Sequence, residues 1–251
     1  MGYRSGMSTI LVPYHLDEYL PDLNIPLPGP HSVVRAELPD GDVWSRLAAL
    51  YERVAETVRA GERPTVVSGD CTVSLGVVAG VQRTGARPGV VWFDAHGDVQ
   101  TLETTTSGYI GGLPLRLLSG YRPELIADRL GLHPIAEDNL VLVDARDLDP
   151  AEIGYLGTAA IRRSTVDELA VGKLPDGPLI LHIDLDVIDP AELNGMRVPA
   201  PGGPTTAAVL AAADRVLATG RVVAVDLACT WLPGGDDPAG YRAGLLAALV
   251  R

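Results

Sequence analysis

A chain of 251 residues with 47% hydrophobic side chains has enough apolar material for one large core. Its 32 acidic against 20 basic residues leave a formal charge of −12, which excludes the cationic surface that a nucleic-acid backbone requires. Two cysteines make no disulfide framework, no apolar run reaches membrane-span length, and Met1–Tyr14 lacks the basic-then-apolar order of an export signal, so a cytoplasmic protein is expected.

In chain order, the β-branched run Thr9–Tyr14 predicts a first strand, and Ser32–Leu38 a second after the Pro/Gly-rich loop Pro21–Pro30. An amphipathic pattern over Val43–Ala60 predicts a helix, followed by strand Pro64–Ser68 and helix Thr72–Arg83. Strand Gly89–Phe93 comes next, then Gln100–Leu118, which has no core-like period and should lie at the carboxyl edge of the sheet. Helix Pro123–Leu130, strand Asn139–Val143, helix Pro150–Leu156 and strands Ala159–Thr165 and Pro178–Ile183 continue the series. A rim loop at Pro199–Pro204, helix Thr205–Ala218, strand Arg221–Leu227 and helix Pro238–Val250 close it. Near-continuous apolar strands alternating with helices predict an α/β fold, a mainly parallel sheet covered on both faces, in a single domain over 1–251.

Two of these strands run straight into acidic clusters. Asp94-Ala95-His96-Gly97-Asp98 follows Val90-Val91-Trp92-Phe93, and Asp184-Leu185-Asp186-Val187-Ile188-Asp189-Pro190 follows Leu179–Ile183. Side chains two apart on extended backbone face the same way, so Asp184 and Asp186 address one site, as do Asp94, His96 and Asp98 if the strand continues. Carboxylates gathered at the tips of buried strands are tolerable with cations and costly without them. Carboxylates with one imidazole suit Mn²⁺ or Zn²⁺ better than Ca²⁺, and a shared carboxylate permits a two-metal site. Solvated aspartates in strand-end turns are the plainer alternative, which two such clusters together disfavour.

These segments resemble signatures of the arginase/agmatinase (ureohydrolase) family: Asp-Ala-His-x-Asp at Asp94–Asp98, and Asp-x-Asp-x-x-Asp-Pro at Asp184–Pro190. Ser68-Gly69-Asp70-Cys71 is similar to the family's Gly-Gly-Asp-His, Thr104–Gly108 to the substrate loop of arginases, and Val143–Pro150 to a later substrate-contacting segment. The resemblance implies an eight-stranded sheet flanked by helices in three αβα layers. It implies two divalent metals, Mn²⁺ as the expected pair, with Cys71 shifting the preference toward Zn²⁺. One metal would take Cys71, Asp94, Asp98 and Asp184, and the other His96, Asp94, Asp184 and Asp186. Asp98 would also serve catalysis by orienting the attacking water and carrying its proton. Gln100, Ser107, Asp149 and Cys229 stand at positions that touch substrate.

Three positions depart from the family pattern. Cys71 replaces a ligand His, with a small buried Cys beside a solvent-filled position as the plainer reading. Gly111, in Tyr109-Ile110-Gly111-Gly112, stands where arginases carry a proton-shuttling His. Cys229 stands where the substrate guanidinium meets a Glu, so an unmodified guanidinium would be under-compensated. A branch that hydrolyses Nω-hydroxyarginine is similar in the first two departures but is expected to keep the Glu. His182, His15 and Trp231 are expected mainly as a hydrogen-bonded wall residue, a residue at the cavity mouth and a packed core residue.

The expected activity is hydrolysis of a linear C–N bond in a guanidine, hydroxyguanidine or amidine small molecule. A non-catalytic member with a degraded site is the alternative from another class, and a deacetylase-like amidohydrolase a second alternative that the full Asp184/Asp186 pair disfavours. No membrane or nucleic-acid partner is expected, while the resemblance makes a homo-oligomer an expectation.

Overall fold

The computed structural model describes residues 8–21, 23–234, 237 and 240–250. The reading of the amino-terminal segment before residue 8, and the start of the last expected helix at Pro238, lie outside them. Among the described residues there are ten strands: β1 (Thr9–Val12), β2 (Tyr14–His15), β3 (Glu18–Tyr19), β4 (Ser32–Val33), β5 (Thr65–Ser68), β6 (Gly89–Asp94), β7 (Leu140–Asp144), β8 (Arg162–Ser164), β9 (Leu179–Asp184) and β10 (Val222–Ala228). The helices are α1 (Val43–Ala60), α2 (Ser74–Gln82), α3 (Pro114–Leu118), α4 (Ala127–Leu130), α5 (Pro150–Leu156), α6 (Thr206–Leu217) and α7 (Tyr241–Leu249). None of the described helices is long and apolar enough to cross a membrane.

Eight strands form one sheet in the order β4-β1-β5-β10-β9-β6-β7-β8. Every neighbouring pair is parallel. The eight runs expected as strands each contribute one member. Alternation along the strands divides the core in two. Val90 and Trp92 of β6 pack with α1 and α2, whereas Val91 and Phe93 pack with α6 and α7 on the opposite face. The resulting three αβα layers explain why β6 and β9 are apolar at almost every position: both faces are covered.

Differences from the sequence reading have local causes. The run Thr9–Tyr14 breaks at Pro13, which has no N–H for the ladder; Tyr14–His15 turns away to pair antiparallel with Glu18–Tyr19. Of Ser32–Leu38, only Ser32–Val33 pairs, as the sheet's edge. The expected helix Pro123–Leu130 divides into a 3-10 turn, Pro123–Leu125, and the single-turn α4. Within Gln100–Leu118 the structure forms α3, whose Leu115, Leu117 and Leu118 are all buried. A five-residue helix with little polar face offers no amphipathic period to read.

Candidate metal centre

Because the sheet is parallel, the four central strands deliver their carboxyl ends to one edge, where ligands bind in open α/β folds. After β5, Asp70 caps a 3-10 turn, Cys71–Val73, by accepting the Thr72 N–H at 2.8 Å, while its other oxygen accepts the Leu16 N–H at 2.5 Å. That clamp fixes the backbone carrying Cys71. After β9, Asp184 caps the turn Leu185–Val187 through the Asp186 N–H (2.9 Å). After β6 the chain reaches Asp98 in the left-handed region (φ 54°), a strained conformation for an aspartate that is common at functional sites. Beyond β10, Thr230 donates its hydroxyl to Asp184 Oδ1 at 2.8 Å.

Cross-contacts draw these ends together. His96 Nδ1 lies 3.2 Å from Asp94 Oδ1 and 3.2 Å from Asp186 Oδ2. The Ala95 N–H donates to Asp186 Oδ1 at 3.3 Å, linking the two acidic clusters directly. The Cys71 thiol donates to Asp184 Oδ2 at 2.8 Å and lies 3.9 Å from Asp94 Oδ2. Asp94, Asp98, Asp184 and Asp186 are all almost fully buried.

Burial and mutual repulsion strain this cluster electrostatically. Burial, then the neighbouring Asp94 charge, pushes Asp184 up from 3.8 to about 6. Asp98 rises well above the carboxylate range for the same two reasons, and Asp186 through burial and then Asp184. For Asp94 burial acts upward, but the hydrogen bonds and charge of His96 outweigh it and the net shift is downward. Burial would lower His96, yet its bonds to Asp186 and Asp94 carry it up to about 12. Burial, followed by the Asp184 charge, holds the Cys71 thiol well above its usual value. His96 Nε2 and Asp98 Oδ2 are buried without any hydrogen-bond partner. Buried polar atoms are rarely left so, and orphaned ligand-type atoms amid crowded carboxylates are what divalent cations would satisfy. Asp94, His96 and Asp186 present one ligand atom each within 4.8 Å of one another.

A cavity of about 160 Å³ opens over this cluster. All six side chains expected to hold metal, Cys71, Asp94, His96, Asp98, Asp184 and Asp186, line it, and so do Gln100, Ser107 and Asp149. Gln100 donates to Asp149 Oδ2 at 2.8 Å, so those two positions are joined. Cys229 is placed elsewhere. Beyond β10, Ala228 packs toward α1 and α2 and Cys229 toward α6 and α7, fully buried, leaving Thr230 on the cavity wall. Trp231 is a core residue bonded to the Leu23 carbonyl (2.7 Å). His15 stacks on the Tyr109 ring (centroids 5.8 Å apart), with Nε2 3.3 Å from its hydroxyl, behind the wall. Asp189, last of the second cluster, accepts the Gly202 and Gly203 N–H groups at 2.9 Å and ties down the Pro199–Pro204 loop.

Several lining residues had no assigned role in the sequence reading: Tyr109, Glu152, Arg197 and Thr230. Glu152 carried a signal, since Asp149-Pro150-Ala151-Glu152 is a capping box that α5 forms. Tyr109 matters because of Gly111: a β-carbon there would fall 2.2 Å from the Tyr109 ring. The phenol thus fills the volume that a side chain at 111 would need. Arg197 arrives on an irregular loop with no local pattern to announce it, and its buried Nε has no partner.

Comparisons with known proteins agree with this geometry. A family model described as Arginase family matches residues 14–237. Arginase from Bacillus subtilis (strain 168) is 33% identical over 167 residues, covering 61% of this chain and 56% of that protein. Arginase-1 from Homo sapiens is 30% identical over 226 residues, covering 83% of this chain and 69% of that one. The chain spans about half the length of the first curated relatives it matches, at 56%, 57% and 49%. A crystal structure of arginase from Bacillus cereus superposes with a TM-score of 0.81 at 24% identity, covering 98% of each chain, a likeness of fold.

Proposed function

Because the chain belongs to the arginase family, we propose that it is a binuclear-metal hydrolase that cuts a linear C–N bond in a guanidine, hydroxyguanidine or amidine. The observation that carries this reading is the crowd of buried carboxylates that lines one cavity around His96 Nδ1, with Asp98 Oδ2 left unpartnered among them. One metal position would draw on Cys71, Asp94, Asp98 and Asp184, and the other on His96, Asp94, Asp184 and Asp186. When bound, the cations would acidify a water for attack on the amidine carbon. The protein's own groups do the rest. Asp98, unpartnered at Oδ2, would orient that water and pass its proton to the leaving amine. Thr230 holds Asp184 in one rotamer through their 2.8 Å bond. Gln100, Ser107 and Asp149, on the cavity wall, would hold the polar end of the substrate.

The wall chemistry narrows the substrate. With Cys229 turned into the core, the end of β10 contributes no carboxylate to the cavity, while Arg197 contributes a guanidinium. A fully charged guanidinium substrate would face that cation. A weaker base, such as a hydroxyguanidine, or an amidine bearing an anionic group, would not be penalised in the same way. The test is a panel of arginine, hydroxyarginine, agmatine, guanidinobutyrate and formiminoglutamate, offered to Mn²⁺- and Zn²⁺-loaded protein and scored for amine or ammonia release. Turnover should favour the less basic or anionic members. Asp184→Asn should remove all turnover; unchanged turnover would end the bridging role assigned to Asp184.

A second reading has one specific observation behind it. The protonated Cys71 thiol donating to Asp184 at 2.8 Å pairs the two groups without a metal, as a degraded, non-catalytic site would. Bound metal with no turnover across the whole panel would favour it.

A further inference from the structure

His182 takes no part in the proposed catalysis, yet its surroundings are those of a metal ligand. It sits on β9 in a row across three strands, opposite Asp226 of β10 and Trp92 of β6. Its ring is fully buried. Nδ1 lies 2.8 Å from Asp226 Oδ2, so Nδ1 carries the proton it donates and Nε2 is left with a free lone pair. Trp92 stacks on the ring at 3.5 Å between centroids and 17° between planes, fixing its orientation. Nε2 is buried with no hydrogen-bond partner. A ring nitrogen of His182, Cys71 Sγ and a carboxylate oxygen of Asp94 lie within 4.8 Å of one another. Since Nδ1 is committed to Asp226, the available nitrogen is Nε2.

A histidine whose one ring nitrogen is held by a carboxylate, with the other presented bare to a thiol and a carboxylate, has the arrangement that orients histidine ligands in metal sites. We propose that His182 Nε2 is a ligand of the metal held by Cys71, Asp94 and Asp184, taking the imidazole role that Cys71 vacates in the Gly-Gly-Asp-His motif from a different strand. The two metal positions are then chemically unlike. The Cys71 position offers sulfur, nitrogen and oxygen and selects Zn²⁺; the His96 position offers one nitrogen and oxygens and accepts Mn²⁺. The protein is in consequence a mixed-metal enzyme. This inference rests on the binuclear reading, and its test separates the two.

The experiment is X-ray absorption at the zinc edge, on full-length protein stripped of metal and given one equivalent of Zn²⁺. It is made on the wild type and on His96→Asn, which removes the other imidazole of the centre. The expected result is one sulfur at about 2.3 Å and one imidazole nitrogen at about 2.0–2.1 Å on the same zinc in both proteins. Sulfur with oxygens only in His96→Asn would overturn the role of His182 and leave the binuclear reading standing. Zinc retained by neither protein would overturn both. His182→Ala should weaken zinc binding by about 10–100-fold, and Asp226→Asn in the same direction, while Mn²⁺ at the His96 position is kept. A merely structural His182 would instead lower thermal stability equally with and without metal, leaving zinc affinity unchanged. If His182→Ala does not fold, the absorption measurements on the wild type and His96→Asn decide alone.

Discussion

Tyr109 occupies the space that a side chain at position 111 would need, and its hydroxyl is backed by His15 at 3.3 Å. Burial, then the charge of Asp70, moves this phenol well above its usual range, so it stays protonated at every working pH. A neutral O–H on the cavity wall cannot give up its proton at working pH but can donate a hydrogen bond that strengthens in the transition state, while the proton itself comes from Asp98. Tyr109→Phe should therefore lower kcat by about 100-fold with KM little changed, measured on whichever panel substrate turns over. Equal losses in kcat/KM through KM alone would make Tyr109 a binding residue. The acidic cluster that lines the cavity was legible in the sequence at this scale, because Asp94, His96, Asp98, Asp184 and Asp186 come in two short runs. Tyr109 and Arg197 were not, because each reaches the cavity from a loop whose path depends on distant packing. Cys229 illustrates a finer limit. Its position was read correctly as following β10, but which face it takes depends on where that strand stops alternating.

At the level of elements, α1 and α2 pack closely enough that the second helix needs small residues. A β-carbon on Gly80 would meet the Ala55 carbonyl and the Val58 side chain at 2.7 Å, and one on Gly76 would meet the Tyr51 carbonyl at 2.8 Å. Because these neighbours include backbone, they cannot simply swing aside. Gly80→Ala gains helix propensity in isolation, yet should destabilise the fold by roughly 1–3 kcal/mol in denaturant unfolding. Stabilisation would show that the helices separate freely. The periodicity of α1 and the capping residues of α5 and α6 made these helices readable to within a residue. α3 escaped notice because its short apolar run carries no contrast between faces. The β2–β3 hairpin escaped because Pro13 interrupts what otherwise reads as one strand.

Across the whole molecule, the acidic centre ties stability to pH and, on the proposed function, to metal. Without cations, Asp184 has a folded-state value of about 6 against an ordinary 3.8. Well below 3.8 it is neutral whether folded or unfolded and costs nothing. As pH rises toward 6 the unfolded chain ionises first, so stability is lost through that window. Asp98 and Asp186 act in the same direction. His96, raised from 6.5 to about 12, contributes stability that is fully present below 6.5, so it does not alter the trend between 4 and 6. Metal-stripped protein should accordingly lose roughly 5–10 °C in Tm between pH 4 and pH 6.5, read by calorimetry. Added Zn²⁺ or Mn²⁺ at neutral pH should restore it. A flat Tm profile for the stripped protein would mean that these carboxylates are relieved by other means.

Strand β10, the last strand in chain order, lies between β5 and β9 near the middle of the sheet. Until a ribosome has delivered residue 228, the growing polypeptide can form only two half-sheets, β4-β1-β5 and β9-β6-β7-β8, each with a bare inner border. Those borders are ready templates for pairing with another chain, so the nascent protein is most exposed to aggregation just before β10 emerges. The strand that fuses the halves also brings Thr230 and Asp226, so completion of the sheet and completion of the reactive centre are one event.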